Sequence, residues 1–305
     1  MHPRKNAMGE CLKPAMLYKI SHRTTYKYVY PVSFGDHVAC LKPRSFAGSR
    51  LLENAMHISP QPSTYTERTD FFGNTQCFFT VQQPHRELVV ESRSAVTVDE
   101  AASVPASIAW EESAEPLAGD LRPECLEAFQ FQFESPRIRK KREFAGYALE
   151  SFTKGRPMRE ALMELTTRIH RDFVFDSKVT DVRTPIEEVF SKRRGVCQDF
   201  AHVQIACLRS IGLAARYVSG YLRTYPPPGR PRLIGADASH AWLSAYCRGA
   251  GWIDMDPTNN VSPTDGHVTV AWGRDYGDVS PLRGLILGGG GHSLKVEVDM
   301  EPVTA

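Results

Sequence analysis

The sequence has no window approaching the roughly 18 to 20 consecutive apolar residues that a membrane span requires, because charges break its richest stretches within about ten residues. A soluble chain without membrane insertion is therefore expected. An excess of one charge sign is also missing. The 37 Lys+Arg against 35 Asp+Glu leave a formal charge of +2, so neither a strongly basic nucleic-acid surface nor an acidic tail is indicated. The opening MHPRKNAMGECLKPA is basic but carries no apolar core and no cleavage site, which points to the cytoplasm. The seven cysteines (Cys11, Cys40, Cys77, Cys125, Cys197, Cys207, Cys247) include no CxxC pair and lack the tight spacing of a secreted disulfide framework. The nearest metal-like run, Cys197, His202 and Cys207, advances in steps of five, about 140° per step on a helix. Those side chains cannot converge on one zinc ion. An EF-hand loop and a nucleotide fingerprint are absent too. The Gly288–Gly291 run is not followed by Lys-Ser/Thr, and Tyr217-Val218-Ser219-Gly220 lacks the first glycine of a serine nucleophile elbow. No metal and no cofactor are expected.

What is present organises into two parts. The chain has 305 residues, 42% of them hydrophobic, enough for one large or two ordinary domains. Residues 1–15 read as a flexible tail. Residues 16–98 are rich in Val, Ile, Thr, Tyr and Phe between turn residues, with candidate strands at 18–28, 37–42, 51–59, 64–70, 77–81 and 86–98 and a turn at Phe72-Gly73-Asn74. Many short strands at this spacing predict a β-rich, sandwich-like N-terminal domain. The stretch 99–120 is rich in Ala, Ser, Glu and Pro without a sustained period, and 99–136 is read as a linker. From 137 to 305 helices come first, at 137–153, 157–173 and 196–208, the last nearly all apolar and ending near Gly212. Strands follow at 215–222, 240–247, 252–255, 268–272, 282–287 and 293–298. The expected class is α+β, with helices packed on an antiparallel sheet.

Three segments carry chemistry: Arg194-Gly195-Val196-Cys197-Gln198-Asp199 opening a helix, Ser239-His240-Ala241-Trp242 opening a strand, and Trp252-Ile253-Asp254-Met255-Asp256-Pro257-Thr258 closing the next. A cysteine that opens a helix meets unpaired backbone N–H groups and the positive end of the helix dipole, and both stabilise negative charge on sulfur. Cys197 is thus a candidate nucleophile. A histidine opening a neighbouring strand can accept its proton, and an aspartate on the adjacent strand can hold the other ring nitrogen. Each motif alone has a plainer structural explanation: buried cysteine, core histidine, Asp-Pro turn. Their joint order and context make a Cys–His–Asp constellation.

The segments GVCQDFAH (195–202), ARYVSGY (215–221), ASHAWLSAY (238–246), GWIDMDPTN (251–259) and HVTVAWGRDYGDVSPLRG (267–284) resemble the bacterial transglutaminase-like proteins, of papain-like cysteine protease fold. The first half resembles the β-rich N-terminal domain that accompanies that core. The resemblance implies Cys197 as nucleophile, His240 as base and acid, and Asp256 rather than Asp254 as the orienting carboxylate, since the family motif sets it immediately before Pro-Thr. It also implies acyl transfer or hydrolysis at peptide or isopeptide amides of a protein or peptide substrate, without calcium. The Cys197 backbone N–H is a natural oxyanion donor, and Gln198 is a candidate second one. Trp242 and Trp252 are candidate cleft walls, although strand aromatics usually belong to a core. Asp199 is expected to cap the helix start or to pair with Arg194. Nothing in the spacing of His267, Arg274 and Asp275 requires them to line a cleft. The alternative is a non-catalytic peptide- or protein-binding module that retains the fold.

Overall fold

The computed structural model describes residues 15–99, 108–114, 120, 122–179, 184–224 and 238–303; the expected tail, Ala15 excepted, lies outside them. Five strands come first: β1 (Met16–Ala39), β2 (Ser49–Ser59), β3 (Thr64–Thr69), β4 (Thr75–Val81) and β5 (His85–Val98). Six helices follow, interrupted by two two-residue strands: α1 (Trp110–Ala114), α2 (Pro123–Phe129), α3 (Arg142–Leu149), α4 (Met158–Asp172), β6 (Val174–Phe175), α5 (Ile186–Lys192), β7 (Arg194–Gly195) and α6 (Cys197–Ser210). The chain ends with β8 (Ala215–Leu222), β9 (Ala238–Cys247), β10 (Gly251–Met255), β11 (His267–Gly273), β12 (Leu282–Gly288) and β13 (His292–Val303).

Strand β1 joins into one 24-residue strand two segments that the sequence pattern separates. Pro31 has no N–H to give a ladder, and here the two halves of the strand simply change partners around it. The first half pairs with β5 on one side and β13 on the other; the second pairs with β4 and β12. β12 and β13 therefore run end to end beside β1. Between them Gly288 turns at a φ of +97°, and a Cβ there would stand 2.6 Å from the Pro31 carbonyl oxygen. Alternate residues of β1 point inward, burying Tyr18, Ile20, His22, Thr24 and Tyr28. Tyr28, Leu88 and Val90 from the first half of this seven-stranded sheet and Val32, Phe79 and Val81 from the second share one apolar cluster.

The second sheet is antiparallel, in the order β10-β9-β8-β11. Helix α6 lies against β8 and β9, and α3, α4 and α5 pack around it. Every side chain from Asp199 to Arg209 is buried, as the apolar run predicts. Full burial of Val203, Ile205 and Leu208 contributes about 1.5–3 kcal/mol each. Among the described residues no helix is long and apolar enough to cross a membrane.

Two segments differ from the sequence reading. Within the expected linker, α2 and the 3₁₀ turn Gln130–Gln132 bury Cys125, Ala128 and Phe131 against Trp242 and Tyr246. Residues 282–303, grouped by sequence with the C-terminal core, complete the N-terminal sheet instead. Their partner strand lies some 260 residues away, and a strand's local alternation does not say which sheet it joins.

Candidate active site

Cys197 is the first residue of α6, behind the extended Val196. The Asp199 carboxylate caps this start, accepting the Val196 N–H at 2.9 Å. Gly195 makes room for the cap, since a Cβ there would stand 2.6 Å from Asp199 Oδ2. Arg194 lies instead beside Asp176, at 3.8 Å. Cys40, Cys77, Cys125, Cys207 and Cys247 are buried, whereas Cys197 is partly exposed. Burial pushes the Cys40 thiol up to about 12 and raises that of Cys207 further still. Those two are inert packing groups.

His240 stands near the start of β9, and Asp256 follows the end of β10. Asp256 is completely buried, and its Oδ2 accepts from His240 Nε2 at 2.7 Å, Asn259 Nδ2 at 2.7 Å and His267 Nε2 at 3.1 Å. Its Oδ1 accepts the backbone N–H groups of Thr258 at 3.0 Å and Asn259 at 3.2 Å, the geometry of an Asx turn. Burial alone would raise this carboxyl, but the bonds from His240, His267 and Asn259 hold it well below the usual carboxylate range. Burial likewise would lower His240; the hydrogen bonds to Asp256 and Cys197 outweigh it and lift the imidazole to about 9. Because Nε2 is committed to Asp256, Nδ1 is the ring nitrogen left for the sulfur.

Cys197, His240 and Gln198 line one cleft of about 270 Å³, together with Tyr217 and residues of β1 and β13. Trp242, a sequence candidate for that cleft, lies elsewhere. Its side chain is buried behind His240, edge-on to His267 at 5.3 Å, and its ring crosses Gly220, where a Cβ would meet Cη2 at 2.4 Å. The β9 strand turns His240 and Trp242 to the same face, but of the two only His240 lines the cleft. Trp252 is likewise absent from the cleft lining; it packs edge-on against Phe131 at 5.4 Å. Asp254 is occupied as an acceptor for Trp242 Nε1 at 3.3 Å and for Ser244 Oγ, so it stands apart from His240.

Sequence reasoning left Asn259 and His267 without a role. Asn259 was within reach of it, because an Asx turn at Asp256 folds the residue three further on back over the carboxylate. His267 arrives from β11 through tertiary pairing that no local spacing encodes. His240, Asp256 and His267 each place one ligand atom within 4.8 Å of the others. A divalent cation would bind there only by displacing the Nε2 protons that join both rings to Asp256.

Residues 18–97 match the bacterial transglutaminase-like N-terminal region, and residues 146–257 match the transglutaminase-like superfamily core. An uncharacterized protein of Mycobacterium tuberculosis is 41% identical over 297 residues, spanning 93% of this chain and 92% of that one. The protein-glutamine gamma-glutamyltransferase of Pseudomonas aeruginosa is 34% identical over 76 residues, 25% of this chain and 11% of that protein. A crystal structure of a candidate cysteine protease from Cytophaga hutchinsonii shares the fold, with a TM-score of 0.76, 21% identity and coverage of 96% and 92% of the two chains.

Proposed function

The chain belongs to the transglutaminase-like superfamily, and on that premise we propose that it is a cysteine enzyme that transfers or hydrolyses the acyl groups of peptide or isopeptide amides. Cys197 is the nucleophile, His240 the acid and base, and Asp256 the carboxylate that orients the imidazole. The observation that carries this reading is the buried Asp256 gripping His240 Nε2 at 2.7 Å while that histidine and the partly exposed Cys197 line the same cleft.

A thiolate on Cys197 beside a charged His240 attacks the carbonyl carbon of an amide, forming the C–S bond and placing negative charge on the oxygen. The Cys197 backbone N–H, which as a helix-opening group has no partner within α6, and Gln198 receive that oxygen. A single such donor is worth about 3–4 kcal/mol of barrier. His240 gives its Nδ1 proton to the departing nitrogen as the C–N bond breaks, so ammonia or an amine leaves and a thioester remains. The now neutral Nδ1 takes a proton from water or from a primary amine as either attacks the thioester, and the C–S bond breaks to release the acyl product and restore the Cys197 thiolate beside charged His240. The substrate is a protein or peptide.

Ammonia release from a glutamine peptide, followed with and without an added primary amine, tests this. Release that falls at least a thousandfold in Cys197→Ser supports the assignment; release at the same rate in that variant contradicts it.

A further inference from the structure

The strands β1 and β13 present opposite chemistries on their two faces. The outward face carries Arg23, Lys27, Lys295 and Glu297, joined by Glu87 and Glu91 of β5. The inward face carries His22, Thr24, Tyr26, Leu294 and Val296, and it forms one wall of the cleft that holds Cys197 and His240. This inward row starts buried against the catalytic core at Ile20, Val298 and Met300 and then emerges beside the cysteine, where Val296 is 45% and Leu294 54% exposed. Isolated exposed apolar residues need no explanation, but these two sit with the Tyr26 ring at the cleft mouth. Among the described residues lining the cleft none is Asp, Glu, Lys or Arg. Apart from the Cys197–His240 pair, this described lining offers a charged substrate side chain no ionic partner for the hydration it would lose.

The wall also holds a polar chain. His22, which burial lowers to about 4 and so keeps neutral, lies 3.2 Å from the Tyr221 hydroxyl through Nδ1 and 3.2 Å from Thr24 Oγ1 through Nε2. A neutral ring carries one proton, so it donates to one of these hydroxyls and accepts from the other.

We propose that the N-terminal sheet is the specificity wall of the active site: Tyr26, Leu294 and Val296 receive an uncharged apolar or aromatic side chain next to the reacting amide. The position of the reacting amide rests on the function assigned to Cys197. Binding to Cys197→Ala separates the two claims, because it needs no turnover. Two fluorescent glutamine peptides, one with leucine and one with lysine beside the glutamine, are titrated by anisotropy. The leucine peptide should bind at least tenfold tighter, and adding Leu294→Glu with Val296→Glu, both at exposed positions, should bring the two within threefold. Equal binding of the two peptides, or a preference untouched by the double substitution, overturns the proposal. Selective binding by Cys197→Ala of peptides that the unsubstituted enzyme does not process supports the wall and counts against acyl transfer alone.

Discussion

Asp256 concentrates the chemistry of the site, because one buried oxygen accepts from His240, Asn259 and His267. Its grip keeps His240 charged to about pH 9, so the alkaline limb of kcat/KM should fall near that pH. In Asp256→Asn the limb should move down toward the ordinary histidine value of 6.5, and kcat should drop by roughly 10³–10⁴. A limb unmoved in the pH–rate profile would contradict the pairing. The same group carries a stability signature. The folded value lies above the unfolded one, so its contribution is complete below pH 6.5 and is lost as pH rises through about 9. Cys197, His240 and Asp256 were legible because each opens or closes a recognisable element. Trp242 was not, since alternation on β9 gives its side of the sheet but not its depth.

At the level of elements, the start of α6 depends on three residues in sequence: a glycine without a side chain, an extended Val196 and the Asp199 cap. Gly195→Ala forces a methyl group against the Asp199 carboxylate. The expected cost is about 1–3 kcal/mol, read as a lower urea midpoint, together with slower alkylation of Cys197 as the first turn shifts. Unchanged values of both would mean that the cap does not set the geometry. The helix itself was readable from its apolar run, and β8 from its β-branched and aromatic residues. Helix α5 was not, for its seven residues are too few to display a period. The continuity of β1 through Pro31 was hidden for a different reason, since the proline's missing hydrogen bond is offset by an exchange of partner strands.

Across the whole molecule, the two sheets are locked by a turn the sequence does mark. Asn74, in the loop leading into β4, donates to the Trp272 carbonyl at 2.8 Å and accepts the Trp272 N–H at 3.0 Å, so its amide stands in for a strand beside β11. Arg44 reaches the same Asn74 at 2.6 Å and lies over the Trp272 ring at 3.6 Å, with Arg216 also stacked on that ring at 3.7 Å. Asn74→Ala orphans two buried backbone groups and should cost about 2–4 kcal/mol in urea unfolding; a loss under about 0.5 kcal/mol would mean the lock is not structural. The turn residues were legible while their partner was not, because Trp272 is 198 residues away. The return of β12 and β13 to the first sheet is long-range in the same way, and it brings the inward face of that sheet to Cys197. Whether Cys197 and His240 act there as one pair is read most directly by iodoacetamide labelling across pH, with the modified cysteine located by mass spectrometry in the native sequence and in His240→Ala. Selective labelling of Cys197 well below pH 8 that collapses in His240→Ala is the predicted result; slow labelling without selectivity, unaffected by the substitution, would contradict an assembled pair.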